Sequence, residues 1–282
     1  MKYGIHLSTF TKDWSEDVMQ YISKVHDYGY DGVEFPLMSP LDFNTSKAKK
    51  LLRTYRLECT CGTGMNESRD ISSKDKTIRE NGINHLKSCI NICNELESDC
   101  LGGVLYSPWG QCKMRSEAED DIKRSLEALC EIGLYAEKNG VVLAMEILNR
   151  YESYFLNTVK QGKEYLKQID SKNVKLHFDT FHSNIEEKNI YSAIKEGGQD
   201  IYHVHVSEND RGIPGTGSIN WNSVKKGLRE IKYNRWITLE SFVASECSQG
   251  KDVFIWRNIE EDADTVAIES LKFLKKLFKE DK

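Results

Sequence analysis

The sequence predicts an α/β fold, a single (β/α)8 barrel over residues 1–282, on three observations. Eight short apolar runs alternate with eight longer amphipathic ones at about 35 residues per pair, the spacing of parallel strands joined by right-handed crossovers. No glycine-rich fingerprint follows the first apolar run, where an open, doubly wound nucleotide-binding sheet would carry one. Acidic and histidine residues instead recur where the later strands finish, at the rim where a closed parallel barrel assembles its functional groups.

Taken in chain order, strands are expected at 3–7, 32–35, 57–61, 100–105, 141–146, 174–179, 201–205 and 236–240. Helices are expected at 15–28, 46–55, 74–97, 116–138, 158–169, 188–196, 221–231 and 263–279. The helix at 116–138 opens on Ser116-Glu117-Ala118-Glu119. This is the form of a capping box, in which the serine accepts from the third backbone N–H and the glutamate reaches back. Ile122, Leu126, Leu129, Cys130 and Gly133 mark its inner face, and Asn139-Gly140 supplies the stop. The final helix sets Ala267, Leu271, Leu274 and Phe278 on one stripe with lysines opposite, as a docked terminal helix with a solvated face would.

Composition removes several classes. With 39 Lys+Arg against 44 Asp+Glu the net charge is −5, so the basic face that nucleic acid requires is missing. No apolar stretch approaches the roughly 18 residues of a membrane span. Met1-Lys2 runs directly into Tyr3-Gly4-Ile5-His6-Leu7, without the apolar region of a signal peptide. The eight cysteines form no CxxC pair and read as reduced, mostly buried thiols of a cytoplasmic protein.

The chemistry gathers at four strand ends. Val141-Val142-Leu143-Ala144-Met145 finishes on Glu146; the next strands end at Asp179, His205 and Glu240. A carboxylate closing an apolar run is costly to bury unless it is paired or bound to a cation. Four such residues on four consecutive strands converge on one point if the sheet closes. Three carboxylates and one imidazole make an oxygen-rich site, suited to one Mn²⁺, Co²⁺ or Mg²⁺ ion rather than to structural zinc. Buried acids held by Lys or Arg are the alternative, and these strands supply almost no basic residues for such pairing.

More polar residues follow each candidate ligand. Glu152 comes six residues after Glu146, His182 three after Asp179 and Arg211 six after His205. They fall on loops above the rim, where groups that grip a substrate belong. His177 and His203 each precede a candidate ligand by two residues, which puts them on the same strand face, one layer deeper. Either a second metal site or hydrogen-bonded interior histidines would fit there. Cys61, ending the third strand, is expected to line the pocket.

Several stretches go further: Met145-Glu146-Ile147-Leu148-Asn149-Arg150-Tyr151-Glu152, Asp179-Thr180-Phe181-His182-Ser183-Asn184-Ile185-Glu186-Glu187, His203-Val204-His205, Pro214-Gly215-Thr216-Gly217 with Trp221, Glu240-Ser241-Phe242 and Trp256-Arg257. On these the chain resembles the ketose 3-epimerases of the D-tagatose/D-allulose (psicose) type, within the xylose-isomerase-like TIM-barrel superfamily. The resemblance implies one divalent ion per subunit, usually Mn²⁺, on Glu146, Asp179, His205 and Glu240. It further implies that Glu146 and Glu240 are the acid/base pair on opposite sides of the sugar's C3. Glu152, His182 and Arg211 would then hold hydroxyls near C1 and C2, with Trp14 and Trp109 as aromatic walls. Homodimers or homotetramers are implied as well. This chain departs from the pattern at His6, where relatives usually carry an aromatic residue at the substrate, and at Ser241, where many carry proline.

The expected reaction is epimerisation of unphosphorylated ketoses at C3 through an enediolate. A metal chelating O2 and O3 polarises the C2 carbonyl, and inversion needs a base on one face and an acid on the other. Competing readings are a sugar-phosphate isomerase or epimerase, with Gly215-Thr216-Gly217 as a phosphate cradle, and a sugar dehydratase. An abasic-site endonuclease would want a basic groove and further metal ligands. A non-catalytic sugar-binding protein would have no use for both glutamates.

Overall fold

The computed structural model describes residues 1–279. Strands β1 (Lys2–His6), β2 (Gly32–Pro36), β3 (Glu58–Met65), β4 (Cys100–Pro108), β5 (Val142–Glu146), β6 (Val174–Asp179), β7 (Ile201–Val206) and β8 (Trp236–Leu239) form a closed barrel in chain order. All neighbours are parallel, and β8 pairs with β1. Around it run α1 (Ile22–Tyr28), α2 (Thr45–Tyr55), α3 (Lys76–Glu95), α4 (Glu119–Lys138), α5 (Val159–Leu166), α6 (Thr180–Glu186), α7 (Ile190–Gly197), α8 (Trp221–Glu230), α9 (Ser248–Asp252) and α10 (Ala263–Phe278). No described helix is long and apolar enough to cross a membrane.

Strand parity sorts the barrel. Ile5, Val33, Phe35, Leu143, Met145, Phe178, Val204, Ile237 and Leu239 are fully buried and belong to the main apolar core. The alternate positions carry His6, Glu34, Thr60, Glu146, His177, Asp179, His203, His205 and Thr238, so the interior is polar. Glycine makes room for these side chains. A Cβ at Gly62 would come within 3.2 Å of Glu34 Oε1, and one at Gly102 within 3.3 Å of His177 Nδ1.

Four local readings are corrected by the structure. The expected helix at 15–28 starts as a single 3-10 turn, Val18–Tyr21, before α1 begins. Ser116 does not cap α4: its N-cap is Ala118, without a side-chain bond, and its buried face centres on Ser125, Ala128, Leu129, Ile132 and Ala136. The capping box lies instead on α5, between Thr158 and Gln161. Strand eight stops at Leu239, but the Glu240 N–H still donates to Val206 O at 3.1 Å, which holds Glu240 at the rim.

Candidate active site

Glu146, Asp179, His205 and Glu240 each present a donor atom, and these atoms lie within 4.8 Å of one another. Register brings them together: Asp179 is the ladder partner of His205, and Glu146 sits opposite His177. Asp179 also caps α6, its Oδ1 accepting from His182 N at 2.9 Å. That unpredicted helix lifts His182 above the cluster. Among the described residues, Glu146 Oε1, Asp179 Oδ2 and His205 Nδ1 are buried without a hydrogen-bond partner. Each orphaned group of this kind costs about 1–3 kcal/mol unless something answers it. Three orphans within one oxygen-rich set are the donors a divalent cation takes, so the residues fit such an ion.

The basic partner that the strands lack arrives from the loop after β7. Arg211 Nη1 donates to Glu240 Oε2 at 2.8 Å and lies 3.9 Å from Asp179 Oδ2, while Nη2 lies 3.8 Å from Glu152 Oε1. Its guanidinium stacks 4.0 Å over the Phe181 ring. The loop holds Arg211 at a positive φ of 73°, which for a non-glycine residue must be held by its surroundings. The Ser241 hydroxyl donates to the Arg211 carbonyl, and the buried Glu208 carboxylate ties the rest of the loop down. Glu208 accepts from Gly215 N at 2.7 Å, Ile219 N at 2.8 Å and Trp221 Nε1 at 2.8 Å.

His182 Nδ1 accepts from Asn149 N at 3.2 Å and Asn149 Nδ2 at 2.8 Å. Nδ1 is thus the accepting nitrogen, and Nε2 lies 3.3 Å from Arg211 Nη2 and 3.6 Å from Glu146 Oε1. Burial pushes the His182 pKa down to about 4, so the ring is neutral. Glu152 accepts from Trp109 Nε1 at 2.9 Å and Asn149 Nδ2 at 2.8 Å. Trp14 packs edge-on against Trp109 and Phe242, with ring centroids 6.5 and 6.0 Å away. His6, Trp14, Trp109, Glu152, His182 and Arg211 share one cleft of about 610 Å³ with Glu146, His205 and Glu240.

Cys61 is not in that cleft. Strand parity turns it outward beside Cys59, against Cys93 of α3, and Gly62 and Gly64 face the cleft in its place. The deeper histidines floor the site. His203 Nε2 lies 2.6 Å from Glu34 Oε2, and neither nitrogen of His177 has a partner. The His177 ring stands edge-on to His205 at 4.0 Å.

The two glutamates are driven apart. Burial, reinforced by Glu240 and Asp179, pushes Glu146 well above the usual carboxylate range. Burial opposes ionisation of Glu240 too, but His205 and Arg211 outweigh it and hold that carboxyl low.

Sequence reasoning missed Glu34, Asn149 and Glu208 as parts of the site. Glu34 carried a usable signal, because it is a lone carboxylate within the apolar run Val33-Glu34-Phe35.

A family model described as xylose isomerase-like TIM barrel matches residues 22–277. The chain is 34% identical over 268 residues to the D-psicose 3-epimerase of Ruminiclostridium cellulolyticum, covering 94% of this chain and 92% of that one. It is 30% identical over 278 residues to the ketose 3-epimerase of Arthrobacter globiformis, covering 98% and 96%. The crystal structure of D-allulose 3-epimerase from Methylomonas sp. in complex with D-allulose superposes with a TM-score of 0.93 at 29% identity, over 98% of this chain and 96% of that one.

Proposed function

The chain belongs to the xylose isomerase-like TIM-barrel family and is a ketose 3-epimerase, and from that premise we propose that it inverts C3 of free ketoses with one bound divalent ion and two glutamates. The observation that carries this reading is the convergence of Glu146, Asp179, His205 and Glu240, with three orphaned donor atoms, beneath one cleft.

Glu146, Asp179, His205 and Glu240 would hold the ion, Mn²⁺ by this reading, which when bound would supply positive charge to polarise the C2 carbonyl and acidify C3–H. Glu240, held ionised, takes that proton from one face of the sugar. Glu146, on the other side of the four-donor set, would return one from the other face. Arg211, His182 and Glu152 hold the hydroxyls near C1 and C2, and Trp14 and Trp109 exclude water from the far wall.

The substrate is unphosphorylated. The amides of Gly215 and Ile219 are committed to the Glu208 carboxylate, and Ser218 N donates to Asn209 Oδ1 at 2.8 Å, so the turn that could have cradled phosphate carries a buried negative charge instead. Exposed Trp256 and Tyr151 beside the cleft support a homodimeric or homotetrameric state, and five buried free thiols support a cytoplasmic setting.

A panel of free ketoses and their phosphates, assayed with added Mn²⁺, tests the proposal. C3 epimers are expected from free sugars alone; turnover confined to phosphorylated substrates would overturn it.

A further inference from the structure

We propose that Glu34 on β2 is a positioning residue that fixes the tautomer of His205 and thereby sets how tightly the site holds its divalent ion. The inference rests on the metal-dependent reading above and adds to it a residue outside the four-donor set.

Glu34 is fully buried in the barrel interior. Its Oε1 accepts from His205 Nε2 at 2.7 Å. An imidazole that gives its N–H to a carboxylate presents a bare lone pair at the other nitrogen and becomes a stronger donor there. That other nitrogen, Nδ1, has no hydrogen-bond partner and faces Glu240 Oε1 at 3.5 Å. One end of the ring is thus committed and the other is free, aimed at the carboxylates.

Glu34 is itself held from both sides. Thr60 Oγ1 donates to Oε2 at 2.5 Å, and His203 Nε2 lies 2.6 Å from the same oxygen. Glu34 is the ladder partner of both His6 on β1 and Thr60 on β3. Gly62, next in line on β3, leaves the space the carboxylate occupies, since a Cβ there would stand 3.2 Å from Oε1 and 3.4 Å from His6 Nε2. A carboxylate buried this deeply needs partners on every lone pair. Here the Thr60 hydroxyl and the His205 imidazole supply hydrogen bonds, and the His203 imidazole stands beside the same carboxylate. The arrangement gives His205 one orientation and commits its Nε2 proton to Glu34, so Nδ1 is the nitrogen left to face the carboxylates.

The test is an Mn²⁺ titration of metal-stripped protein, read by loss of the free-ion EPR signal, for the parent, Glu34→Gln and Thr60→Val. Glu34→Gln is expected to weaken Mn²⁺ binding by roughly 10–100-fold, the range for outer partners of metal-ligating histidines. At saturating Mn²⁺ the KM for ketose should stay near that of the parent. Thr60→Val, which keeps the volume and removes only the hydroxyl, should weaken binding in the same direction by less, and it carries the test if Glu34→Gln does not fold. Parental Mn²⁺ affinity in a folded Glu34→Gln protein, or in Thr60→Val if that variant alone folds, overturns the inference and leaves the epimerase reading standing. Failure of the parent itself to bind Mn²⁺ overturns that reading, and the inference with it.

Discussion

Arg211 and Glu240, 29 residues apart, meet in a buried pair in which Nη1 donates to Oε2 at 2.8 Å. The contact joins the loop after β7 to the carboxylate just beyond β8, and it places a positive charge on the wall of the cleft. The same guanidinium, with His205, holds the Glu240 carboxyl low.

Replacing Arg211 with Ala is therefore expected to lower kcat/KM while metal content stays near the parental level. Truncating one partner of a buried charge pair costs about 2–5 kcal/mol, which converts to a loss of about 30-fold or more. Steady-state kinetics beside metal analysis of the purified variant measures both quantities. Loss of the metal together with activity would make Arg211 part of the ion's scaffold instead.

Asp179 offers a cleaner separation of folding from metal binding. Its Oδ1 caps α6, while Oδ2 is the buried orphan facing the other donors. Asparagine caps helices as well as aspartate does, so Asp179→Asn should melt near the parental temperature. It should nevertheless lose Mn²⁺ affinity by more than about 100-fold, the upper range for an outer partner, because a direct ligand's charge is gone. Unchanged Mn²⁺ affinity would remove Asp179 from the ligand set.

Much of this was legible because one rule, a charged residue closing an apolar run, picks out Glu146, Asp179, His205 and Glu240 without any structure. The eight strands follow from the same periodicity. What the sequence hid is set by single-residue parity and by contacts between distant segments. Cys61 and Gly62 differ by one position, yet one faces α3 and the other the cleft. Glu34 sits inside an apolar run rather than closing one, and its role depends on His205, 171 residues away. Arg211 was placed on the right loop, while its descent into the carboxylates depends on a positive φ that the flanking residues do not announce.

Away from the site, His85 of α3 makes stability depend on pH. Its Nε2 is 2.8 Å from Thr63 Oγ1, and Arg69 Nη1 lies 3.3 Å from Nδ1. Burial, then Arg69, pushes its pKa down to about 4 from an ordinary 6.5. The unfolded chain takes up a proton below about pH 6.5 that the folded chain refuses until about pH 4, so stability falls across that window as pH drops. The contribution is on the order of 3 kcal/mol at most. Urea unfolding of the parent and of His85→Gln should show the variant's deficit shrinking from pH 7.5 to pH 4.5. A deficit constant with pH would mean that His85 does not titrate in this way.

The last expectation concerns the proton itself. Glu146 ends β5 and Glu240 follows β8, with Asp179 and His205 of the intervening strands between them. Two carboxyls so placed, on either side of the donor set, suit removal from one face of C3 and delivery to the other. Because the proton removed and the proton delivered reside on different residues, reaction in D₂O should leave deuterium at C3 of the product ketose. An enzyme acting between C1 and C2 would instead label C1 and release an aldose. Glu240→Gln keeps the side chain's shape and its capacity to accept from Arg211, but an amide cannot take a proton at neutral pH. Turnover should fall by about 10²–10⁴-fold, the usual contribution of a positioned acid/base group. NMR of the product locates the label, and the variant's kcat at saturating Mn²⁺ isolates the proton step from metal loss. Deuterium at C1 alone, or near-parental turnover by Glu240→Gln, would reject the two-glutamate mechanism at C3.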